Sequence, residues 1–480
     1  MESLKERTAK GLAWGGLSNG IQQLLNAVFG IFLARILSQY DYGMVGMLTI
    51  FSSVASSLQE GGFISALIRK KDISSQDYNA VFWTNTLLSV CFYLILFACA
   101  PLIARFYGID ELTPLARYTF LGFLIASLNI APRAHLMRNM MVRETTIMSI
   151  TSLVVSGLVG IAMAAMGFSY WGIATQTIVF NLCVTVMSYR LSGWRPNFSI
   201  DFTPVRNMFG FSSRLIITNI VNIVNNNIFS VLLGKLYTPN EVGDYTQANK
   251  WNNMGWSFVS NMLGGIAQPV LSKTVDDKER QKHIFRKLLR FTALVCFPTM
   301  FGLALVAQEF IVILLTEKWL TSAGMLQLLC IAGAFIPLSN LFSNLIISRG
   351  HSSVFMWSSI ALCCLQLAAV CLSAPYGIRR MIEVYVIINI LWLFVWHLLA
   401  RKEIDLKLRE VLMDIAPYFI LTVVLIVAAW MLTSGITNRY LSITVKVLFV
   451  GSLYCLSLWL LKSTIFKEII LFITKKEVPQ

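Results

Sequence analysis

The sequence predicts an all-α polytopic membrane protein with about fourteen transmembrane helices. Apolar side chains make up 56% of the 480 residues and charged ones only 13%, against about 45–50% and about 25% in soluble domains. Spanning a bilayer takes roughly 20 apolar residues per helix, so a chain of this length has room for more than a dozen crossings. A water-soluble core does not fit this composition.

Fourteen apolar stretches are long enough to cross the membrane. Their approximate cores are 11–34, 44–68, 79–104, 114–132, 145–167, 169–189, 208–234, 245–271, 291–315, 323–347, 352–374, 382–400, 411–432 and 441–461. Several exceed the minimal length and contain Asn, Gln, Gly or Pro. Such residues are unlike those of simple lipid-facing anchors, and they indicate helices that line a cavity.

The cationic side chains predict the orientation of these spans. When the connections are assigned alternately to the two sides, 28 of the 39 Lys and Arg residues lie on one side and nine on the other. Cytoplasmic loops are rich in Lys and Arg, so both termini are predicted to be cytoplasmic. The net charge of +15 thus reports orientation and not nucleic-acid binding. The basic run 273–290 is predicted to form an amphipathic helix on the anionic inner leaflet.

Motifs of catalysis and metal binding are missing from the sequence. It contains no Walker A pattern, no HExxH and no CxxC, and its four histidines are scattered. The loops between spans are short, whereas membrane enzymes that build polysaccharides generally carry catalytic groups on a sizeable external loop. We therefore expect a protein that is not an enzyme and that needs no metal or cofactor.

An internal repeat at an offset of 200 residues organises the chain. Similar residues at the corresponding positions are Ser18, Asn19, Gln22, Asn26, Phe29, Leu33, Arg35, Ser38, Asp41 and Gly43 in the first copy and Thr218, Asn219, Asn222, Asn226, Phe229, Leu233, Lys235, Thr238, Glu241 and Gly243 in the second. A weaker match at an offset of 211 relates Arg138 to Arg349. Span 1 corresponds to span 7 after six crossings, so the repeat is parallel. It predicts two six-helix lobes at 1–191 and 207–400, a cytoplasmic linker at 192–206, and two further helices with a cytoplasmic tail at 401–480.

The stretch Gly11–Met47, GLAWGGLSNGIQQLLNAVFGIFLARILSQYDYGMVGM, resembles the opening of the polysaccharide transporter (Wzx-like) family of lipid-linked oligosaccharide flippases. This family belongs to the multidrug/oligosaccharidyl-lipid/polysaccharide exporter superfamily. Further similar features lie at Phe209–Ser212, Gly243–Tyr245, Pro269 and Glu317–Trp319. The subgroup with the greatest resemblance contains the lipopolysaccharide, colanic acid and teichuronic acid exporters.

The resemblance implies that the two lobes surround a central cavity. It also implies that a polyprenyl-pyrophosphate-linked oligosaccharide crosses the inner membrane by alternating access. The expected partners are this substrate, the phospholipid bilayer, a coupling proton or sodium ion, and other polysaccharide assembly proteins. A multidrug antiporter, a lipid II flippase and a membrane enzyme of polysaccharide assembly are the alternatives.

Amide side chains follow one face of span 1 and one face of span 7, at helical spacing. The predicted substrate path consists of Asn19, Gln22, Asn26, Asn219, Asn222 and Asn226, with Lys250 toward the outer end of span 8. Amides facing lipid would be costly, so both stripes are predicted to face inward. Sugar hydroxyls suit such a surface because amides both donate and accept. Hydrogen bonding between helices, worth about 0.6 kcal/mol per contact, is the alternative.

Two ionisable residues inside spans, Glu60 and Arg214, predict a gate or a headgroup site. Glu60 is the only clear carboxylate inside a predicted span. Both residues lie roughly 12 Å from the cytoplasmic side, so they can pair between the lobes. Glu60 is alternatively a coupling-ion site, and Arg214 is alternatively a pyrophosphate ligand together with Arg133 and Arg138 at the cytoplasmic mouth. A static pair or a snorkelling arginine remains open.

Overall fold

A computed structural model shows the protein to be built from helices, and no strand occurs among the residues it describes. These are residues 4–60, 73–198 and 227–461, with short pieces at 64, 67, 220, 223–225, 463 and 465–466; no side chain is described for 4–17, 59, 60 and 264–266. The helices are α1 (Leu4–Ile36), α2 (Gln39–Glu60), α3 (Ser75–Tyr107), α4 (Leu112–Ser127), α5 (Ile130–Arg138), α6 (Val142–Ala165), α7 (Tyr170–Ser192), α8 (Asn227–Leu236), α9 (Pro239–Lys273), α10 (Lys278–Leu315), α11 (Leu320–Gly333), α12 (Ile336–Ser348), α13 (Ser352–Ser373), α14 (Ile378–Ile404), α15 (Leu408–Thr433) and α16 (Arg439–Leu460).

The all-α membrane class is confirmed. Within the described ranges, nine helical segments are long and apolar enough to cross a membrane, and a tenth qualifies if the bent pair α4 and α5 forms one span. The helices α1, α2 and α9 coincide with predicted spans 1, 2 and 8 but are not among these segments. In α9 the reason is its many Asn, Gln and charged residues, which lower its mean hydropathy. The total of fourteen spans stays a prediction.

The chain divides into two compact units, residues 1–243 and 244–480. The lobe boundaries predicted from the sequence stay a prediction, because part of the predicted linker at 192–206 lies outside the described residues. In the unit 1–243, α7 packs along α6, and α1 packs on α6 from another side. Small residues allow this close approach. A Cβ atom at Gly157 of α6 would lie only 2.5 Å from the ring of Phe29 in α1.

In the unit 244–480, α10 is the central helix. Its 38 residues pack against α11, α15 and α16. Two of its aromatic rings pack against rings from other segments: the ring of Phe297 is centred 5.4 Å from those of Phe335 and Phe419, and the ring of Phe301 is 5.8 Å from that of Phe419. The two C-terminal helices are therefore packed against α10.

Matching local structures support the sequence repeat. At the start of α2 the backbone N and the side-chain Oγ of Ser38 donate to Asp41 Oδ2, at 2.8 and 2.7 Å. At the start of α9 the corresponding atoms of Thr238 donate to Glu241 Oε2, at 2.9 and 2.8 Å. Each copy thus begins its second helix with a carboxylate bound to a hydroxyl three residues earlier, a typical helix N-terminal device.

The predicted orientation can be tested with single cysteines in a cysteine-free chain. At the exposed positions Asp110, Asn240 and Thr437 a cysteine is expected to react with a membrane-impermeant maleimide added to intact cells. A cysteine at the exposed positions Gln76 and Ser353 is expected to react only after the membrane is permeabilised. The reverse pattern would show that the orientation derived from the cationic loops is inverted.

Candidate functional site

A partly polar cavity of about 280 Å³ lies inside the unit 1–243. Six helices, α1, α2 and α4 to α7, contribute to its wall, together with Ile64 beyond the end of α2 and Asn129 between α4 and α5. The lining residues are Gln22, Ser56, Ile64, Ala126, Asn129, Ile130, Arg133, Met148, Ser149, Phe180, Asn181 and Val184. Amide and hydroxyl side chains therefore reach the cavity from α1, α2, α6 and α7.

A break between α4 and α5 shapes one wall of this cavity. The two helices meet at an angle of 45° across the break. Pro132 lies in the first turn of α5, where its nitrogen has no hydrogen to donate to the carbonyl oxygen of Leu128 four residues earlier, and its ring crowds that carbonyl. The helical hydrogen bonds are thereby interrupted near Asn129. In consequence Asn129 at the break and Arg133 in the short helix α5 both lie on the cavity wall.

One guanidinium group and several amide and hydroxyl groups line the cavity. Arg133 is the one charged side chain among the described residues that line it. The amides nearby are held in place: Asn181 Nδ2 donates to the carbonyl oxygen of Gly122 at 3.0 Å, and Gln22 Nε2 donates to Ser18 Oγ at 2.9 Å. A guanidinium beside oriented amides and hydroxyls can bind a phosphate and neighbouring sugar hydroxyls.

Two predicted site residues from different spans meet at this cavity. Gln22 was predicted to lie on the substrate path and Arg133 to contact an anionic headgroup, and both line the same space. Asn19 and Asn26, on the same stripe of α1, are exposed and do not line it. The stripe on α1 therefore reaches beyond this cavity.

Arg138 and Lys250 lie elsewhere. The guanidinium Nη1 of Arg138 donates to the carbonyl oxygen of Leu67 at 2.8 Å, and Nη1 of Arg349, its repeat counterpart, donates to the carbonyl oxygen of Val275 at 3.0 Å. Both bonds reach backbone beyond the second helix of the respective copy, and the predicted headgroup contact of Arg138 stays a prediction. Lys250 is half-buried in α9, within the unit 244–480, and is not a lining residue of the cavity.

The remaining predicted site residues fall outside the described part of the chain. These are Asn219, Asn222, Asn226 and Arg214, together with the side chain of Glu60, whose backbone ends α2. The amide stripe of span 7 and the pairing of Glu60 with Arg214 stay predictions.

An ion pair within the membrane-spanning region was missed. Lys446 Nζ in α16 contacts Glu309 Oε1 in α10, and Ser442 Oγ donates to the same oxygen at 2.9 Å. The side chains of Lys446 and Glu309 are only 10% and 14% exposed. Glu60 is thus not the only carboxylate inside a span. The similar depth of the two residues in the membrane could have indicated this pair. Glu309 lies six residues before the end of α10 and Lys446 seven residues after the start of α16, which is roughly 9 to 11 Å along each helix.

The basic run at 273–290 differs from its prediction as well. Most of it forms the start of α10 and is continuous with the spanning part of that helix. Arg286 binds Asp414 through Nε at 2.7 Å and Nη2 at 3.1 Å, and Lys282 Nζ lies 2.9 Å from Glu410 Oε2. These cations therefore join α10 to α15, and the prediction of an amphipathic helix lying on the inner leaflet is wrong for the residues of the run that belong to α10.

Comparison with known proteins gives a family match over more than half of the chain. The model of a family described as "Polysaccharide biosynthesis protein" matches residues 32–324. The lipopolysaccharide biosynthesis protein WzxC of Escherichia coli strain K12 is 24% identical over 73% of this chain and 72% of its own. The teichuronic acid biosynthesis protein TuaB of Bacillus subtilis strain 168 is 24% identical over 88% of both chains.

A solved structure shares the fold. The lipid II flippase MurJ in an inward closed conformation superposes with a TM-score of 0.72, covering 96% of this chain and 99% of MurJ at 14% sequence identity. The two proteins therefore share a fold although few residues are identical.

Proposed function

Because the chain belongs to the polysaccharide biosynthesis protein family, we propose that it is a flippase that moves a lipid-linked oligosaccharide across the cytoplasmic membrane. The cargo is a precursor of a surface polysaccharide. Two relatives are named for lipopolysaccharide and teichuronic acid biosynthesis, and a lipid II flippase has the same fold. The chain is then a multi-pass protein of the bacterial inner membrane with both termini in the cytoplasm.

The chemistry of the cavity in the unit 1–243 is the observation that carries this proposal. A polyprenyl-pyrophosphate-linked glycan presents a phosphate anion beside many hydroxyl groups. Arg133 supplies the cation for the phosphate, while Gln22, Asn129 and Asn181 supply donors and acceptors for hydroxyls. The cavity is thus suited to the polar part of the cargo and not to its apolar tail.

A polar lining is needed because the sugar head cannot cross hydrocarbon unaided. Each unsatisfied polar group in an apolar medium costs on the order of several kcal/mol, and a charge costs more. A cavity that replaces water with amides and a guanidinium removes most of this barrier, while the prenyl tail stays in lipid. We propose alternating access driven by a coupling proton or sodium ion, for which Glu60 is the candidate ligand.

The same cavity argues against a multidrug antiporter that exports amphipathic cations. Such a cargo needs carboxylates at its site, whereas the described lining holds Arg133 and no acidic residue. A cationic cargo would thus meet no carboxylate among these lining residues, whereas a phosphate can accept from the guanidinium.

Reconstitution into liposomes tests this function directly. A polyprenyl-pyrophosphate oligosaccharide with a fluorescent sugar is placed in both leaflets, and the label in the outer leaflet is quenched by an impermeant reductant. Active protein is expected to make nearly all of the label accessible, whereas about half stays protected in protein-free liposomes. The mass of the lipid-linked glycan is expected to be unchanged, because the proposed protein transfers no sugar.

Two outcomes would contradict the flippase proposal. Protection of half the label in protein-containing liposomes, combined with export of an amphipathic cation from the same liposomes, would favour the multidrug antiporter. A longer or shorter glycan recovered by mass spectrometry would favour an enzyme of polysaccharide assembly.

A further inference from the structure

The first turns of α2 and α9 touch through bare backbone. A Cβ atom at Gly43 would lie 1.9 Å from the carbonyl oxygen of Pro239, and a Cβ atom at Gly243 would lie 1.9 Å from the carbonyl oxygen of Gln39. All four residues belong to the unit 1–243. No side chain fits at either glycine while the contact is present.

The contact is reciprocal in the sense of the sequence repeat. Gly43 corresponds to Gly243 and Gln39 corresponds to Pro239, each at the offset of 200 residues. Gly43 faces Pro239, and Gly243 faces Gln39. The second contact is therefore the first with the two copies exchanged, as in an isologous two-fold interface. Both helix starts carry the same hydroxyl–carboxylate cap, so one structural element is used twice, facing itself.

Neighbouring residues extend the contact along α3 and α8. Lys235 Nζ donates to the carbonyl oxygen of Phe106 at 2.5 Å and lies 5.0 Å from the centre of its ring. A Cβ atom at Gly234 would lie 2.7 Å from the ring of Tyr107, whose hydroxyl donates to the carbonyl oxygen of Met47 at 3.3 Å. The ends of α3 and α8 are thus also in close contact, with Gly234 of the second copy against the ring of Tyr107.

We propose that the Gly43–Gly243 contact closes the outer face of the protein and opens and re-forms once in each transport cycle. This inference rests on the proposed flippase function, since alternating access requires contacts that exist in one state only. Glycine weakens a helix relative to alanine, and both copies carry it where bare backbone is needed for closure. An alanine at either position must separate the two backbones by at least about 1.5 Å to reach ordinary contact near 3.4 Å.

Spin-label distances test the closure without a transport assay. Labels are attached to cysteines at Ile36 and Leu236, exposed repeat-related residues beside the contact, in a cysteine-free chain in nanodiscs. Gly43→Ala and Gly243→Ala are each expected to shift the main distance population upward by several ångströms. Gly302→Ala is the matched control, because its Cβ meets nothing within 4 Å in α10. Identical distance distributions in all four chains would overturn the proposal.

Cross-linking provides a test that needs no substitution of the glycines. The same two cysteines are joined by the shortest cleavable bis-maleimide that reacts with both, and transport is measured before and after cleavage. Cross-linking is expected to reduce transport at least tenfold, and cleavage to restore it. Undiminished transport in the cross-linked chain would identify a permanent packing contact and overturn the proposal. Failure of the flippase function itself would appear separately, as absence of transport in the chain that was never cross-linked.

Discussion

Replacement of Arg133 by glutamine is expected to lower the rate of lipid-linked oligosaccharide transport by about 10- to 100-fold at unchanged abundance in the membrane. Arg133 is the charged member of the described cavity lining. A hydrogen bond to a charged group is worth about 1.5–3 kcal/mol, and about 1.4 kcal/mol corresponds to a factor of ten. The measurement is the initial rate of label accessibility in proteoliposomes that contain equal amounts of protein.

Two further variants separate charge from geometry. Arg133→Lys keeps the charge but not the planar pair of donors that fits a phosphate, so an intermediate rate is expected. Arg143→Gln removes a nearby exposed cation that does not line the cavity, and its rate is expected to stay within about twofold of the unsubstituted chain. A normal rate for Arg133→Gln would show that the cavity does not bind the anionic part of the cargo.

Composition and periodicity were sufficient to predict the helices because a bilayer permits few alternatives. Every backbone group inside hydrocarbon needs an internal partner, so long apolar stretches fold as helices. The break between α4 and α5 was not predicted, although Pro132 is visible in the sequence. A proline in a span can kink a helix or be absorbed by neighbouring groups, and only tertiary packing decides between these outcomes.

The residue types of the candidate site could be predicted from the sequence, but which of those residues lie together could not. Gln22 and Arg133 were selected for separate reasons, and the fold places both at one cavity. Arg138 was predicted at the cytoplasmic mouth for the same reason as Arg133, yet its guanidinium donates to the backbone carbonyl oxygen of Leu67. A long flexible side chain can reach either a ligand or a carbonyl several ångströms away, so sequence position alone does not separate these roles.

Replacement of Lys446 by alanine is expected to destabilise the protein by about 3–5 kcal/mol, seen as a lower melting temperature in detergent and lower abundance in the membrane. Its removal leaves the Glu309 carboxylate largely buried with Ser442 as its remaining side-chain donor in the described residues. An uncompensated charge in such a site loses its partner but not its desolvation penalty. The double variant Glu309→Leu with Lys446→Met is expected to recover most of the loss, because an apolar pair carries no such penalty.

A second ion pair between the same parts of the chain supplies the matched control. Arg439 Nη1 at the start of α16 lies 2.9 Å from Glu317 Oε1 just beyond α10, but these side chains are 50% and 75% exposed. Water and salt screen this pair, so Arg439→Ala is expected to cost no more than about 1 kcal/mol. Equal melting temperatures for Lys446→Ala and Arg439→Ala would mean that Glu309 gains water or a proton once its partner is gone. The α10–α16 contact would then rest on apolar packing and not on the buried pair.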